Sequence, residues 1–223
     1  GIHQHAYSLL LDTVGMPETE YKAFADFEAM SDKHDYINNI KVTASNKESI
    51  AKALAVYSGF TEGLQLFSSF VILLNFPRFG KMKGMGQIIT YSIRDESLHV
   101  EAMTKLFREF IQENIELWTD DFKKEIYQAC RDMVALEDRF LDLVFDLGDI
   151  EGLTKKEMRQ YIRYIADRRL LQLGLKTNYD VNENPLPWLD SVMGVEHQNF
   201  FEGRATAYMK AGLRGNVEGI QFT

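Results

Sequence analysis

From Lys47 to about Leu74 the chain runs without a proline and without a strand-like alternation of polar and apolar residues. Ser45-Asn46-Lys47-Glu48 has the pattern of a capping box at its start, which predicts one long apolar helix over this stretch. Its most apolar part, Leu64 to Phe76, contains Gln65, Ser68, Ser69 and Asn75. That is too polar for a membrane span, which needs about 18 or more consecutive apolar residues, so a buried helix is expected. A helix of this length must be covered by others like it, and the rest of the chain offers them.

Ile2, Ala6, Leu9, Leu10 and Thr13 recur at helical spacing, and Gly15 and Pro17 end that segment. A second helix is expected from Glu18 to about His34, with Tyr21, Phe24, Phe27 and Met30 on one stripe. Pro77, Gly80, Gly84 and Gly86 are expected to mark a turn. Further helices are predicted from about Met85 to Leu117, from an Asp120 cap to Phe145, and from the box Thr154-Lys155-Lys156-Glu157 to about Leu173. Asn184-Pro185-Leu186-Pro187-Trp188 reads as a rigid extended turn. A last helix is expected over 195–209, followed by a loose tail after Gly212. Several of these helices exceed 25 residues, about 40 Å at the α-helical rise. Long helices joined by tight turns make a bundle, so the fold class is all-α, one helical domain over 1–223.

Composition narrows the function. Four prolines in 223 residues favour helix, and 45% apolar content rules out wholesale disorder. A net charge of −8 argues against binding nucleic acid through a general basic surface. No membrane anchor or leader is expected. The one cysteine, Cys130, excludes an internal disulfide framework and Cys-rich metal sites, and fits a reducing cytoplasm.

Chemistry is concentrated in a few polar residues. Glu96-Ser97-Leu98-His99 puts a Glu and a His at i and i+3 on one helix face, where both can reach one ion. A surface ion pair has the same spacing. Glu62 sits among Phe60, Leu64, Leu66, Phe67 and Phe70, where a carboxylate is costly unless paired or metal-bound. A solvated stripe with Gln65 and Ser69 is the bland alternative. His3 and Tyr7, four apart, share a face, as two ordinary amphipathic-helix residues also would. Together, a Glu on one helix, Glu-x-x-His on another and a His on a third form most of the nitrogen and oxygen ligand set with which bundles hold two metal ions. Two carboxylates of that pattern are missing, and both are expected upstream of Gly1.

Several stretches carry a resemblance: His3-Gln4-His5-Ala6-Tyr7, Thr61 through Phe70, Asn75-Phe76-Pro77-Arg78-Phe79, and Lys81-Met82-Lys83-Gly84-Met85-Gly86. They continue with Arg94-Asp95-Glu96-Ser97-Leu98-His99, Ala166-Asp167-Arg168, Asn184 to Trp188 and Asn199-Phe200-Phe201-Glu202. Along nearly its whole length the sequence resembles the radical-generating (beta, or small) subunit of class I ribonucleotide reductase. The resemblance implies a ferritin-like bundle of long helices with additional helices, usually a homodimer. It implies a dinuclear iron or manganese centre that reacts with oxygen and oxidises a nearby tyrosine to a radical. The large (alpha) subunit then uses that radical to make deoxyribonucleotides. By position, His3, Glu62, Glu96 and His99 match metal ligands, Tyr7 the radical tyrosine, and Asp95 an aspartate that orients the ligand His and relays the electron. Leu66 and Phe70 match the apolar pocket around the radical. The family's upstream carboxylates, its upstream relay tryptophan and its C-terminal tail are expected to be lacking. A companion chain or N-terminal segment supplying two carboxylates is therefore a further expected partner. The other readings are a ligand-binding or other di-metal oxidase, a storage or structural helical protein, and a fragment active only with a companion.

Overall fold

The computed structural model describes residues 2–15, 22 and 26–193. The expected helix over 195–209, the Gly212 tail, the Asn199–Glu202 stretch, and Tyr21 and Phe24 lie outside these residues. The described chain forms α1 (Ile2–Val14), α2 (Glu28–Asn38), α3 (Lys47–Ala55), α4 (Leu66–Arg78), α5 (Lys83–Glu113), α6 (Asp120–Val144), α7 (Lys155–Gln172) and the short α8 (Trp188–Met193). Between α3 and α4 the helix continues as a π segment, Val56–Gln65, and a 3₁₀ turn, Ile115–Leu117, follows α5. The described residues contain no strand, only an isolated bridge between Ile150 and Leu153. The all-α reading stands.

The π segment packs against α5, α6 and α7, α4 packs along α5, and α6 along α7. Phe60, Leu64, Phe67 and Leu74 enter the core from the long helix, Ile89, Ile93 and Phe107 from α5, Ile126 and Met133 from α6, and Ile162 and Ile165 from α7. α2 covers α6, and α1 lies on α5.

The helix starts differ from expectation in detail. The Asn46 side chain, not Ser45, caps α3 by accepting from the Ser49 N–H at 3.1 Å. Thr119, not Asp120, caps α6. Thr154 and Glu157 form the expected capping box, each side chain accepting from the other's backbone N–H. Of the expected second helix the described residues show α2 from Glu28; positions 18–21 and 23–25 lie outside the described residues. The expected turn over 77–86 is shorter. Pro77 lies in the last turns of α4, while Gly84 and Gly86 belong to α5. Gly86 faces Pro77 so closely that a Cβ there would lie 2.5 Å from Pro77 Cγ, so glycine lets α4 and α5 meet just after their turn.

The largest correction is the π segment, where one uninterrupted α-helix was expected. A π turn bonds i to i+5 and widens the coil, and such turns are frequent at functional sites. Here the widened coil takes a side chain from outside. Buried Arg169 of α7 donates through Nε to the Gly63 carbonyl at 2.8 Å, and its guanidinium lies 5.1 Å from the Phe67 ring centre. A Cβ at position 63 would lie 2.6 Å from Arg169 Nε and 2.8 Å from the Ser58 carbonyl oxygen. Only glycine permits this approach.

The remaining motifs tie loops to the bundle. Asp167 accepts from the backbone N–H groups of Asn178, Tyr179 and Val181 at 2.8–3.0 Å, fixing the chain that leads to Asn184–Trp188. Arg78 donates to Asn75 Oδ1 and the Gly152 carbonyl and stacks on Trp188 at 4.1 Å. Among the described residues no helix is long and apolar enough to cross a membrane.

Candidate metal centre

α5 supplies most of the site. Ser92, Asp95, Glu96 and His99 stand at i, i+3, i+4 and i+7, so one helix face carries all four. Glu62 comes from the π segment beside it, and His3 and Tyr7 come from successive turns of α1. Phe60 and Leu64, immediately around Glu62, are fully buried and hold that segment in the core.

One ligand atom from each of Glu62, Glu96 and His99 falls within 4.8 Å of the other two. Glu96 Oε2 lies 3.4 Å from His99 Nδ1. His3 is not in this group. It stands alongside, with Nε2 3.2 Å from Asp95 Oδ2 and Nδ1 3.2 Å from Ser92 Oγ. The Tyr7 hydroxyl donates to Ser92 Oγ at 2.8 Å. The structure thus gathers three of the four expected ligands and places the fourth next to them.

The electrostatics show what this cluster lacks. Burial raises the Glu62 carboxyl above the usual carboxylate range, the negative Glu96 raises it further, and His99 only partly opposes this. Glu62 Oε2 is buried and has no hydrogen-bond partner among the described residues. Two carboxylates and an imidazole facing one another, with one oxygen unsatisfied, form an oxygen and nitrogen donor set that a divalent cation would relieve. The residues present fit a metal. Burial also raises the Tyr7 phenol, the Ser92 hydrogen bond opposes it, and Glu96 adds to it.

Of the two residues expected around the tyrosine, Phe70 is buried but Leu66 is 37% exposed among the described residues. The widened π coil ends immediately before Leu66 and turns that side chain out of the core. Sequence reading missed Ser92 and Arg169. Ser92 was detectable as the residue one turn before Glu96 on the ligand face. Arg169 follows directly on the Ala166-Asp167-Arg168 motif, but nothing local points it at Gly63. A surface cleft of about 280 Å³ between α4 and α5, lined by Leu74, Pro77, Thr90 and Tyr91 among others, contains none of the site residues. The unsatisfied carboxylate, not cleft volume, identifies the site.

Comparison with known proteins gives a consistent result. The profile of the family described as ribonucleotide reductase, small chain, matches residues 1–185. A probable ribonucleoside-diphosphate reductase small subunit of invertebrate iridescent virus 6 is 42% identical, over 96% of this chain and 70% of its own length. The ribonucleoside-diphosphate reductase subunit beta of Chlamydia pneumoniae is 32% identical, over 95% of this chain and 64% of its own. Among solved structures, a putative class I ribonucleotide reductase from Bacillus halodurans superposes with a TM-score of 0.79 at 26% identity, covering 85% of this chain and 70% of that one. A ribonucleotide reductase R2 subunit from Clostridium botulinum also gives 0.79, at 27% identity, covering 87% and 63%. The chain therefore spans roughly two thirds of the length of these relatives.

Proposed function

The chain belongs to the ribonucleotide reductase small-chain family, and from that membership we propose that it is the radical-generating subunit of a class I ribonucleotide reductase. In this reading residues 1–223 are one helical di-metal domain, in which His3, Glu62, Glu96 and His99 hold a dinuclear iron or manganese centre. Tyr7 is the residue oxidised to a radical. The partners are a second copy of the chain and the large (alpha) subunit, which makes deoxyribonucleotides in the cytoplasm.

The observation that carries the reading is the convergence of Glu62, Glu96 and His99 around a carboxylate oxygen with no partner. The bound centre would supply the oxidising power of dioxygen. The chain's own residues do the rest. Glu62, Glu96 and His99 bind. Asp95 Oδ2, 3.2 Å from His3 Nε2, accepts the Nε2 proton and so fixes the ring's tautomer, which leaves Nδ1 for a metal. Phe70 and the buried Ile93 exclude water from their part of the core. Tyr7, half-buried and bonded to Ser92, gives up an electron and a proton.

A second reading is favoured by the ligand count. Four candidate ligands are two carboxylates short of the bundle pattern, in which two helices each give one Glu and two give Glu-x-x-His. A companion segment or chain supplying them would complete the centre. Another di-metal oxidase of the same superfamily would use the same ligands without needing Tyr7. Loading the protein with Fe(II), admitting oxygen, counting bound metal and recording the electron paramagnetic resonance spectrum separates these. Two metal ions per chain and a tyrosyl signal lost in Tyr7→Phe support the leading reading. Metal without a Tyr7-dependent radical supports another oxidase. Metal bound only after a companion polypeptide is added supports the second reading.

A further inference from the structure

We propose that Ser92 is the hydrogen-bonding partner that holds the Tyr7 phenol against α5. Its hydroxyl stays bonded to the tyrosine oxygen whether or not that oxygen carries its proton. The inference rests on Tyr7 as the radical site and adds the residue that positions it. Ser92 is 2% exposed. Its Oγ has three polar neighbours: the Tyr7 hydroxyl at 2.8 Å, the Ile88 carbonyl at 3.1 Å and His3 Nδ1 at 3.2 Å.

A serine hydroxyl is a single donor with two acceptor sites. While Tyr7 keeps its proton, Ser92 accepts from it and donates its own proton to the Ile88 carbonyl. A neutral phenoxyl has lost that proton, and its oxygen only accepts. Ser92 then rotates about Cβ–Oγ and donates to it. The bond given up to Ile88 is of the i−4 kind that a helix carbonyl does not require, because its backbone partner is already present. One electron and one proton leave Tyr7, and dioxygen, the oxidant that a metal held by Glu62, Glu96 and His99 would put to use, would take up both. Ser92 keeps its own proton throughout. The same α5 face thus carries the ligands Glu96 and His99 and, one turn earlier, the partner of the oxidised residue.

The test compares Ser92→Val with Ser92→Thr, two side chains of the same shape of which only one has a hydroxyl. Ser92→Ala serves as a smaller control, and circular dichroism checks the fold. In the metal-free chain, ultraviolet resonance Raman spectra are taken as differences from Tyr7→Phe. The Tyr7 doublet reports a donated hydrogen bond in the unsubstituted chain and in Ser92→Thr, and loses that signature in Ser92→Val. An unchanged doublet in Ser92→Val overturns the proposal. After Fe(II) and oxygen, the radical shows an exchangeable deuteron coupling in deuterated water, kept in Ser92→Thr and lost in Ser92→Val, where the radical also decays several-fold faster. A coupling and lifetime unchanged in Ser92→Val overturn the phenoxyl half of the proposal and leave Tyr7 as the radical site. Absence of a radical from every variant, with the Raman contrast intact, overturns the radical assignment itself and leaves the phenol–serine bond standing.

Discussion

Glu62 and Glu137 are both carboxylates set into the same bundle, yet only one has its charge answered. Glu137, on α6, is fully buried. Lys33 of α2 brings its ammonium to 2.6 Å from Oε1, and Ser68 of α4 donates to Oε2. The ammonium in turn sits 4.2 Å from the centre of the Phe140 ring. Three helices thus converge to neutralise one buried charge. Around Glu62 the neighbours are another carboxylate and a histidine. The contrast teaches how to read buried acids in this fold. Where a carboxylate serves to join helices, the chain supplies the cation itself. Where it does not, the missing positive charge marks a place for a metal.

Removing the cation at the answered site should have the largest effect. Lys33→Met leaves Glu137 buried without a counter-charge, and breaking one side of such a pair costs about 3–5 kcal/mol. Adding Glu137→Met should recover most of that loss, because the pair is then replaced by apolar packing. Urea denaturation of the two variants measures both. The loss should also depend on pH. Burial raises the Glu137 carboxyl, with Lys33 and Ser68 opposing it. A carboxyl raised on folding contributes stability below its unfolded pKa and loses that contribution as pH rises through the folded value. Lys33→Met removes one opposing charge and raises the folded value further. The variant should therefore approach the parent at acid pH and fall increasingly behind as pH rises. A deficit that stays constant with pH would show that lost packing, not lost charge, is responsible.

The π segment carries Glu62, and Gly63→Ala probes whether its geometry serves the open site. The added methyl meets Arg169 Nε and the Ser58 carbonyl, an overpacking of the kind that costs about 1–3 kcal/mol. If the π turn sets the position of Glu62, bound metal should fall by more than the stability loss explains, as a metal titration at matched folded fraction would show. If metal binding is unchanged in the folded fraction, the π turn only accommodates Arg169.

Much of this contrast was legible in the sequence, but unevenly. The helix over Ile2–Val14, the Thr154 capping box and the Glu96–His99 spacing depend on neighbours within a turn or two, and local patterns report such things well. The π segment escaped because Val56–Gln65 buries Ser58, Gly59, Gly63 and Gln65 along with Val56, Phe60 and Leu64. Where polar residues and glycines are buried too, apolar spacing does not trace the buried face and cannot separate a wider turn from an α-helical one. Asn46 and Thr119 displaced the expected caps by one residue, within the ordinary uncertainty of helix ends. Lys33, Glu137, Arg169 and Gly63 meet only when distant helices pack, so their pairing has no local signature. Ser92 lies between these cases: its place on the ligand face was readable, but its bond to Tyr7 required α1 to dock on α5.

The smallest effect on stability should come from Glu62→Gln, and its sign is the point of the comparison. At the answered site, losing a charge destabilises. At the open site, the metal-free chain carries two facing carboxylates, and burial and Glu96 both disfavour the charge on Glu62. Replacing that carboxylate by an amide of the same shape should leave the metal-free chain as stable or raise its stability by about 0.5 kcal/mol, a modest figure for a half-exposed group. Metal affinity should move in the opposite direction and far more. It should fall at least about tenfold, the low end of what even outer-shell changes cost a metal site. Denaturation of the metal-free protein and a titration with Fe(II) or Mn(II) under anaerobic conditions read the two quantities separately. A joint loss of stability and affinity would make Glu62 a structural acid like Glu137. Stability kept and affinity lost would identify a carboxylate that the fold holds at its own expense for a metal to use.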